Sequence, residues 1–262
     1  MTQSGVSQHV RKLEDQLGTK LLVREGKQFS LSGAGERLYA EAQDILLALS
    51  NLEAKIGSDP EFEGSVRIMS PGSVGLKLYP HLLALQSKHP DLTIEYRFSP
   101  NADVENAIVE SAVDLGFMTS KSALAEVSCT PVTQEPLLLV VPATLDNPDW
   151  ASLMSLGFID HPDGSYHASL LLGANYPEFQ HSTLFPRKGF TNQIGLILEP
   201  VSRGLGFTVL PAHAVNAFAK PEMIRSFRLP NPVCETLYLC VPRNRFVQAR
   251  VRSVIDEARK WL

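Results

Sequence analysis

The sequence predicts an α/β fold behind a helical amino-terminal segment, and three observations carry that expectation. From Gly64 onward, short apolar strands alternate with amphipathic helices, the pattern of a parallel sheet. Two strongly apolar runs, from Pro136 to Pro142 and from Glu235 to Pro242, read as buried strands that carry the chain out to a second lobe and back. Ahead of Gly64, Leu38, Ala42, Ile45, Leu49, Leu52 and Ile56 recur at spacings of four, three, four, three and four, a two-position heptad seam.

Taken in order, the first element is a helix that Thr2 caps with its hydroxyl and Gly18 stops. Val6, Val10, Leu13 and Leu17 form one apolar stripe on it. Ser4, Ser7, Gln8 and Arg11 fill the opposite face, where they can donate to phosphates or meet base edges in a major groove. A turn from Arg24 to Ser30 leads to a long helix, Ser32 to Ile56, capped by Ser32 and ended by Gly57 and Pro60. Its seam is narrower than the stripe of a core-facing helix, so it predicts pairing with a second chain.

In the α/β part we expect strands at Val66–Ser70, Leu92–Phe98 and Leu115–Met118, with helices at Leu76–His89 and Ala102–Ser111. The second lobe should hold a helix near Trp150–Leu156, a strand Phe158–Asp160, a helix from His167, a strand Gly189–Thr191, a helix Asn192–Arg203 kinked or shortened by Pro200, and a strand Phe207–Leu210. A final helix, Phe246–Leu262, closes the first lobe.

Composition narrows the class. A chain of 262 residues with 44% hydrophobic content can bury a large core in more than one domain. The net charge is −4, but Arg11, Lys12, Lys20, Arg24 and Lys27 against Glu14, Asp15 and Glu25 give the first 31 residues +2 and leave −6 for the rest. The weakly positive end is the end with the groove-reading helix. Cys129, Cys234 and Cys240 are odd in number and widely spaced, which predicts a reducing compartment and buried thiols; Cys234 with Cys240 is the alternative, a redox pair. No apolar run approaches the ~18 residues of a membrane span, so the expected location is cytoplasmic.

Enzyme readings fail on pattern. Arg203-Gly204-Leu205-Gly206-Phe207 runs from helix to strand, whereas phosphate cradling needs strand to helix, and no G-x-S-x-G elbow is present. His161 and His167 lack partners at a metal spacing and are expected to be exposed loop histidines. No catalytic residue, cofactor or metal is predicted.

The run Thr2-Gln3-Ser4-Gly5-Val6-Ser7, then Leu13-Glu14, Leu17-Gly18, Leu21-Leu22-Val23-Arg24 and Leu31-Ser32-Gly33-Ala34-Gly35 resembles the second half of the winged helix-turn-helix of LysR-type transcriptional regulators. The likeness continues through Gly64-Ser-Val-Arg-Ile, Asp114-Leu-Gly-Phe, Glu135-Pro-Leu-Leu-Leu-Val-Val-Pro and Arg203-Gly-Leu-Gly-Phe-Thr-Val-Leu-Pro. It implies a partial winged helix-turn-helix (residues 1–31), a linker and dimerisation helix (32–58), and a two-lobed effector domain of the type II periplasmic-binding-protein fold (64–262). Lobe I would take about 64–138 and 240–262, and lobe II about 139–239. The family places two helices ahead of this point, whereas only Met1 precedes Thr2. The stripe is therefore expected to lack its cover, each side chain forgoing roughly 1.5–3 kcal/mol, and operator binding by the chain as it stands should be poor.

The resemblance implies operator DNA as a partner once the amino terminus is completed, read by Gln3, Ser4, Ser7, Gln8 and Arg11 with Lys27 on the wing. It also implies a homodimer or homotetramer and a small-molecule effector, with no membrane partner. Loops at the carboxyl ends of strands would line the effector cleft, giving Ser70, Gly72, Ser73, Asn101, His161, Thr191, Asn192 and Gln193. Helix N-termini after Ser70 and Thr191 would favour an anion, a small carboxylate-bearing metabolite or amino acid, with Lys77 turned along its own helix. The alternative is a ligand-sequestering protein of the same fold that has lost DNA binding.

Overall fold

A computed structural model describes residues 3–25, 28–57 and 59–262, in two compact units, 1–59 and 60–262. The expected cap Thr2 and wing residue Lys27 lie outside the described residues.

In the first unit, helix α1 spans Gln3–Leu17. Gly18 stops it with φ +63°, a conformation costly for any side chain. Strands β1 (Leu22–Glu25) and β2 (Gln28–Leu31) form an antiparallel pair with Leu22 opposite Leu31. Helix α2 spans Gly33–Gly57, and Ser32 caps it as expected, accepting from the Gly35 N–H at 3.0 Å while donating to the Lys20 carbonyl at 2.6 Å. Ile45, Leu46 and Leu49 stand 67%, 63% and 51% exposed along it.

The second unit opens with β3 (Gly64–Ser70), α3 (Gly72–Lys88), β4 (Leu92–Phe98), α4 (Asn101–Val109) and β5 (Leu115–Met118). β3 lies between β4 and β5, parallel to both, as the alternation predicts. Next comes β6 (Val127–Pro142), 16 residues long, followed by α5 (Trp150–Leu156), β7 (Phe158–Asp160), α6 (Gly164–Gly173) and β8 (Arg187–Phe190). The chain ends with α7 (Leu198–Ser202), β9 (Thr208–Pro211), α8 (Ala212–Asn216), β10 (Ile224–Phe227), β11 (Cys234–Pro242) and α9 (Ala249–Trp261).

β6 makes the two lobes one unit. Its first part, Val127–Pro136, pairs antiparallel with β11, which also pairs with β5; its second part, Leu137–Pro142, pairs with β9 and β10. Leu137, Leu139 and Val141 pack with Leu153, Phe158, Leu171 and Phe207 on one face, while Leu138 and Val140 pack with Ile197, Val201, Leu210 and Val215 on the other. A strand covered on both faces has to be apolar at every position, which explains the unbroken run. The first lobe's core gathers Val66, Ile68, Leu78, Leu82, Phe117, Leu237 and Val254. Arg67 and Asp114 fasten it, the guanidinium donating at 2.8 and 3.3 Å.

Three expectations need correction. The segment Asn192–Arg203 is not one helix: a 3-10 turn at Ile194–Leu196 gives way to the five-residue α7, which contains Pro200. β6 starts at Val127, well ahead of Pro136. Cys234 is exposed, not buried. Among the described residues no helix is long and apolar enough to cross a membrane.

Candidate functional site

In the first unit the candidate surface is α1. Ser7, Gln8 and Arg11 are exposed on it; Gln3 and Ser4 belong to the same helix, one turn earlier, with side chains outside the described set. A four-residue step aligns Gln3, Ser7 and Arg11 along one face. Glu14 fixes this helix to the strand that follows, accepting from Lys20 Nζ at 2.8 Å and from the Leu21 and Leu22 N–H groups at 2.8 and 3.2 Å. Those bonds, Lys20 first, hold its carboxyl down at about 2. Val6, Leu13 and Leu17 are exposed, and Val6 and Val10 with Leu22 and Phe29 line a groove of about 580 Å³.

In the second unit the four expected cleft loops come together as a chain of neighbours. The Ser99 N–H donates to the Ser70 carbonyl at 2.9 Å, and the Thr191 N–H to the Asp160 carbonyl at 3.3 Å. The lobes meet where Gly72 touches Ile194: a Cβ on Gly72 would lie 2.9 Å from the Ile194 Cβ, so only glycine fits without a shift.

Most of the candidate side chains are occupied. Ser70 is buried, sharing a 2.8 Å hydrogen bond with the Tyr96 hydroxyl and donating to the Pro71 carbonyl. Asn101 holds Thr119 through two hydrogen bonds, at 2.9 and 3.0 Å. Thr191 Oγ1 accepts from the Gln193 N–H at 3.2 Å. Asn192 and Gln193 are exposed. His161 and His167 are not exposed loop histidines, being 4% and 5% accessible. Burial pulls the His161 imidazole down to about 4, and its Nε2 lies 3.0 Å from the Val209 carbonyl.

Behind the loops lies a polar centre that sequence reasoning missed. Glu135, fully buried, accepts from Ser73 Oγ at 3.2 Å and from the His213 N–H at 2.7 Å. His213 Nδ1 stands 3.1 Å from the same carboxylate without hydrogen-bond alignment, and its Nε2 meets Lys77 Nζ at 3.2 Å. Lys77 therefore reaches across to α8 and does not turn along its own helix. Glu235 sits directly opposite Glu135 in the β6–β11 register, also buried, with His167 Nε2 at 3.3 Å. The available signal was a carboxylate abutting each apolar run, at Glu135-Pro136 and Glu235-Thr236. Among the described residues no α-helix starts directly after Thr191, where a 3-10 turn stands instead, whereas α3 starts at Gly72 against Ile194.

Residues 1–36 match the family described as bacterial regulatory helix-turn-helix protein, lysR family, and residues 60–262 match the LysR substrate binding domain. The chain is 24% identical over 267 residues to the HTH-type transcriptional regulator YeiE of Escherichia coli, covering 98% of this chain and 87% of that one. It is 25% identical over 162 residues to the transcriptional activator IlvY of Salmonella typhimurium, covering 57% of this chain and 55% of that one. Among solved structures it shares the fold of full-length CbnR complexed with its target DNA (TM-score 0.71, 16% identity, 99% and 90% coverage). It also shares that of the full-length virulence activator AphB of Vibrio cholerae (TM-score 0.58, 19% identity, 98% and 89% coverage).

Proposed function

Because the chain belongs to the LysR family of bacterial transcriptional regulators, matched over both of its units, we propose that α1 reads operator DNA and that the cleft between the lobes senses a small metabolite. The observation that carries this is the coexistence in one chain of a polar helix face at Ser7, Gln8 and Arg11 with a two-lobed domain whose strand-end loops converge. Gln3, Ser4 and Lys27 complete the DNA-reading set. Helix α2, with Ile45 and Leu49 exposed on its seam, pairs subunits into a homodimer or homotetramer so that two copies of α1 meet two half-sites. We assign the protein to the cytoplasm and give it no catalytic step.

For the effector we favour an amino acid among carboxylate-bearing metabolites. The first turn of α3 suits a carboxylate. Glu135 and Glu235 lie behind that turn and oppose a bare anion, so an ammonium on the same molecule offsets them. Asn192 and Gln193 supply exposed polar contacts. Selection of bound fragments from sheared genomic DNA, by the chain carrying ahead of α1 the two helices the family places there, tests the regulator reading: discrete promoter fragments with paired half-sites are expected, and uniform recovery of bulk DNA would oppose it. Thermal shift against amino acids, matched acids and matched amines tests the effector, since a ligand of the native state raises the melting temperature.

A further inference from the structure

We propose that Cys129 and Cys240 form a dithiol that a hydroperoxide converts into a disulfide, a redox-sensitive staple between the two long strands β6 and β11. The register sets the two residues directly opposite each other in the antiparallel pair. Directly opposed residues have Cα atoms about 4.5–5.5 Å apart, inside the roughly 4.4–6.8 Å that a disulfide spans, with side chains on the same face. Cys129 packs against the buried cluster that holds Cys240 together with Met69, Val104 and Ile108. Cys234 and Cys240, the pair the sequence offered, lie six residues apart on one strand, about 20 Å at strand rise, and cannot bridge.

The order of events follows from exposure. Cys240 is fully buried, and burial, then the neighbouring Cys129 thiol, pushes its thiol well up, so it is not the first nucleophile. Cys129 is only partly buried. It gives up its proton and attacks a peroxide oxygen; the O–O bond breaks, water leaves when the oxidant is hydrogen peroxide, and Cys129 becomes a sulfenic acid. Cys240 attacks that sulfur, the S–O bond breaks, and the Cys240 proton leaves with the hydroxide as water. Two thiols are oxidised and one peroxide is reduced.

The test treats the full chain with hydrogen peroxide and reads intact mass and peptides. We expect loss of two hydrogens, a peptide linking Cys129 to Cys240, Cys234 still open to alkylation, reversal by dithiothreitol, and a higher melting temperature in the oxidised form. Cys129→Ser should abolish the mass loss, and Cys240→Ser should leave a trappable sulfenic acid at Cys129. Added oxygen on Cys129 with Cys240 still a free thiol, or a link running through Cys234, would overturn the proposal.

Discussion

Glu135 and Glu235 face each other across β6 and β11 at the changeover between lobes, both buried, each with a histidine of the second lobe beside it. Carboxylates directly opposed on one face repel, so their partners have to hold them. Glu135 is the better held, with Ser73 and the His213 N–H, whereas Glu235 Oε2 and His167 Nδ1 have no aligned hydrogen bond. Glu135→Ala should therefore cost about 3–5 kcal/mol in chemical denaturation, since it strands buried partners. Ser73→Ala should cost about 1 kcal/mol. Glu235→Gln, which removes one of two like charges, should cost less than Glu135→Gln; the reverse order would show that the opposition is harmless.

His161 makes the domain acid-sensitive in a defined window. Its imidazole titrates at about 4 in the folded state against 6.5 ordinarily, because burial disfavours the cation. Above pH 6.5 neither state binds the proton and stability is whole. Between 6.5 and 4 only the unfolded chain takes it up, so up to about 3 kcal/mol is lost, and below 4 the loss stops growing. His161→Asn should flatten that part of the stability profile; an equally steep fall in the variant would place the sensitivity elsewhere.

The contact of Gly72 with Ile194 sets how closely the lobes approach. Gly72→Ala should destabilise by about 1–3 kcal/mol through overpacking. Adding Ile194→Ala should recover part of this, with a coupling of about 0.5–3 kcal/mol in the double-mutant cycle. Strict additivity would show that the two loops do not bear on each other.

Ile45 and Leu49 stand exposed on the seam of α2. Changing both to Asp would bury unpaired charge between paired helices, so sedimentation should report a smaller species. An unchanged species would move the subunit contact away from this helix.

How much of this was legible in the sequence depends on how local each signal is. Leu92–Phe98, Leu115–Met118 and Trp150–Leu156 stand where pattern put them, because each is a short element with its own apolar period. The first half of β6 was hidden by Pro131, which reads as a strand breaker but sits beside an irregularity in the pairing with β11, where proline is tolerated. Helix α8 is five residues long, too short for a period to register. The partners of Glu135 lie 62 and 78 residues away, so nothing near it in the chain announced the centre it anchors. Ser70, Ser73 and His161 were picked out as loop residues, yet each is tied down by a hydrogen bond that only the folded chain reveals.

Arg11, exposed on the polar face of α1, is the side chain best placed to report whether that helix meets DNA. The measurement is the affinity of the parent chain and of Arg11→Ala, both carrying the two helices the family places ahead of α1, for a selected genomic fragment as salt is raised. A protein that neutralises one phosphate fewer releases fewer counterions, so the variant should bind more weakly and its log–log salt slope should be shallower by about 0.9. Equal affinity and an equal slope would contradict the assignment of this face to DNA.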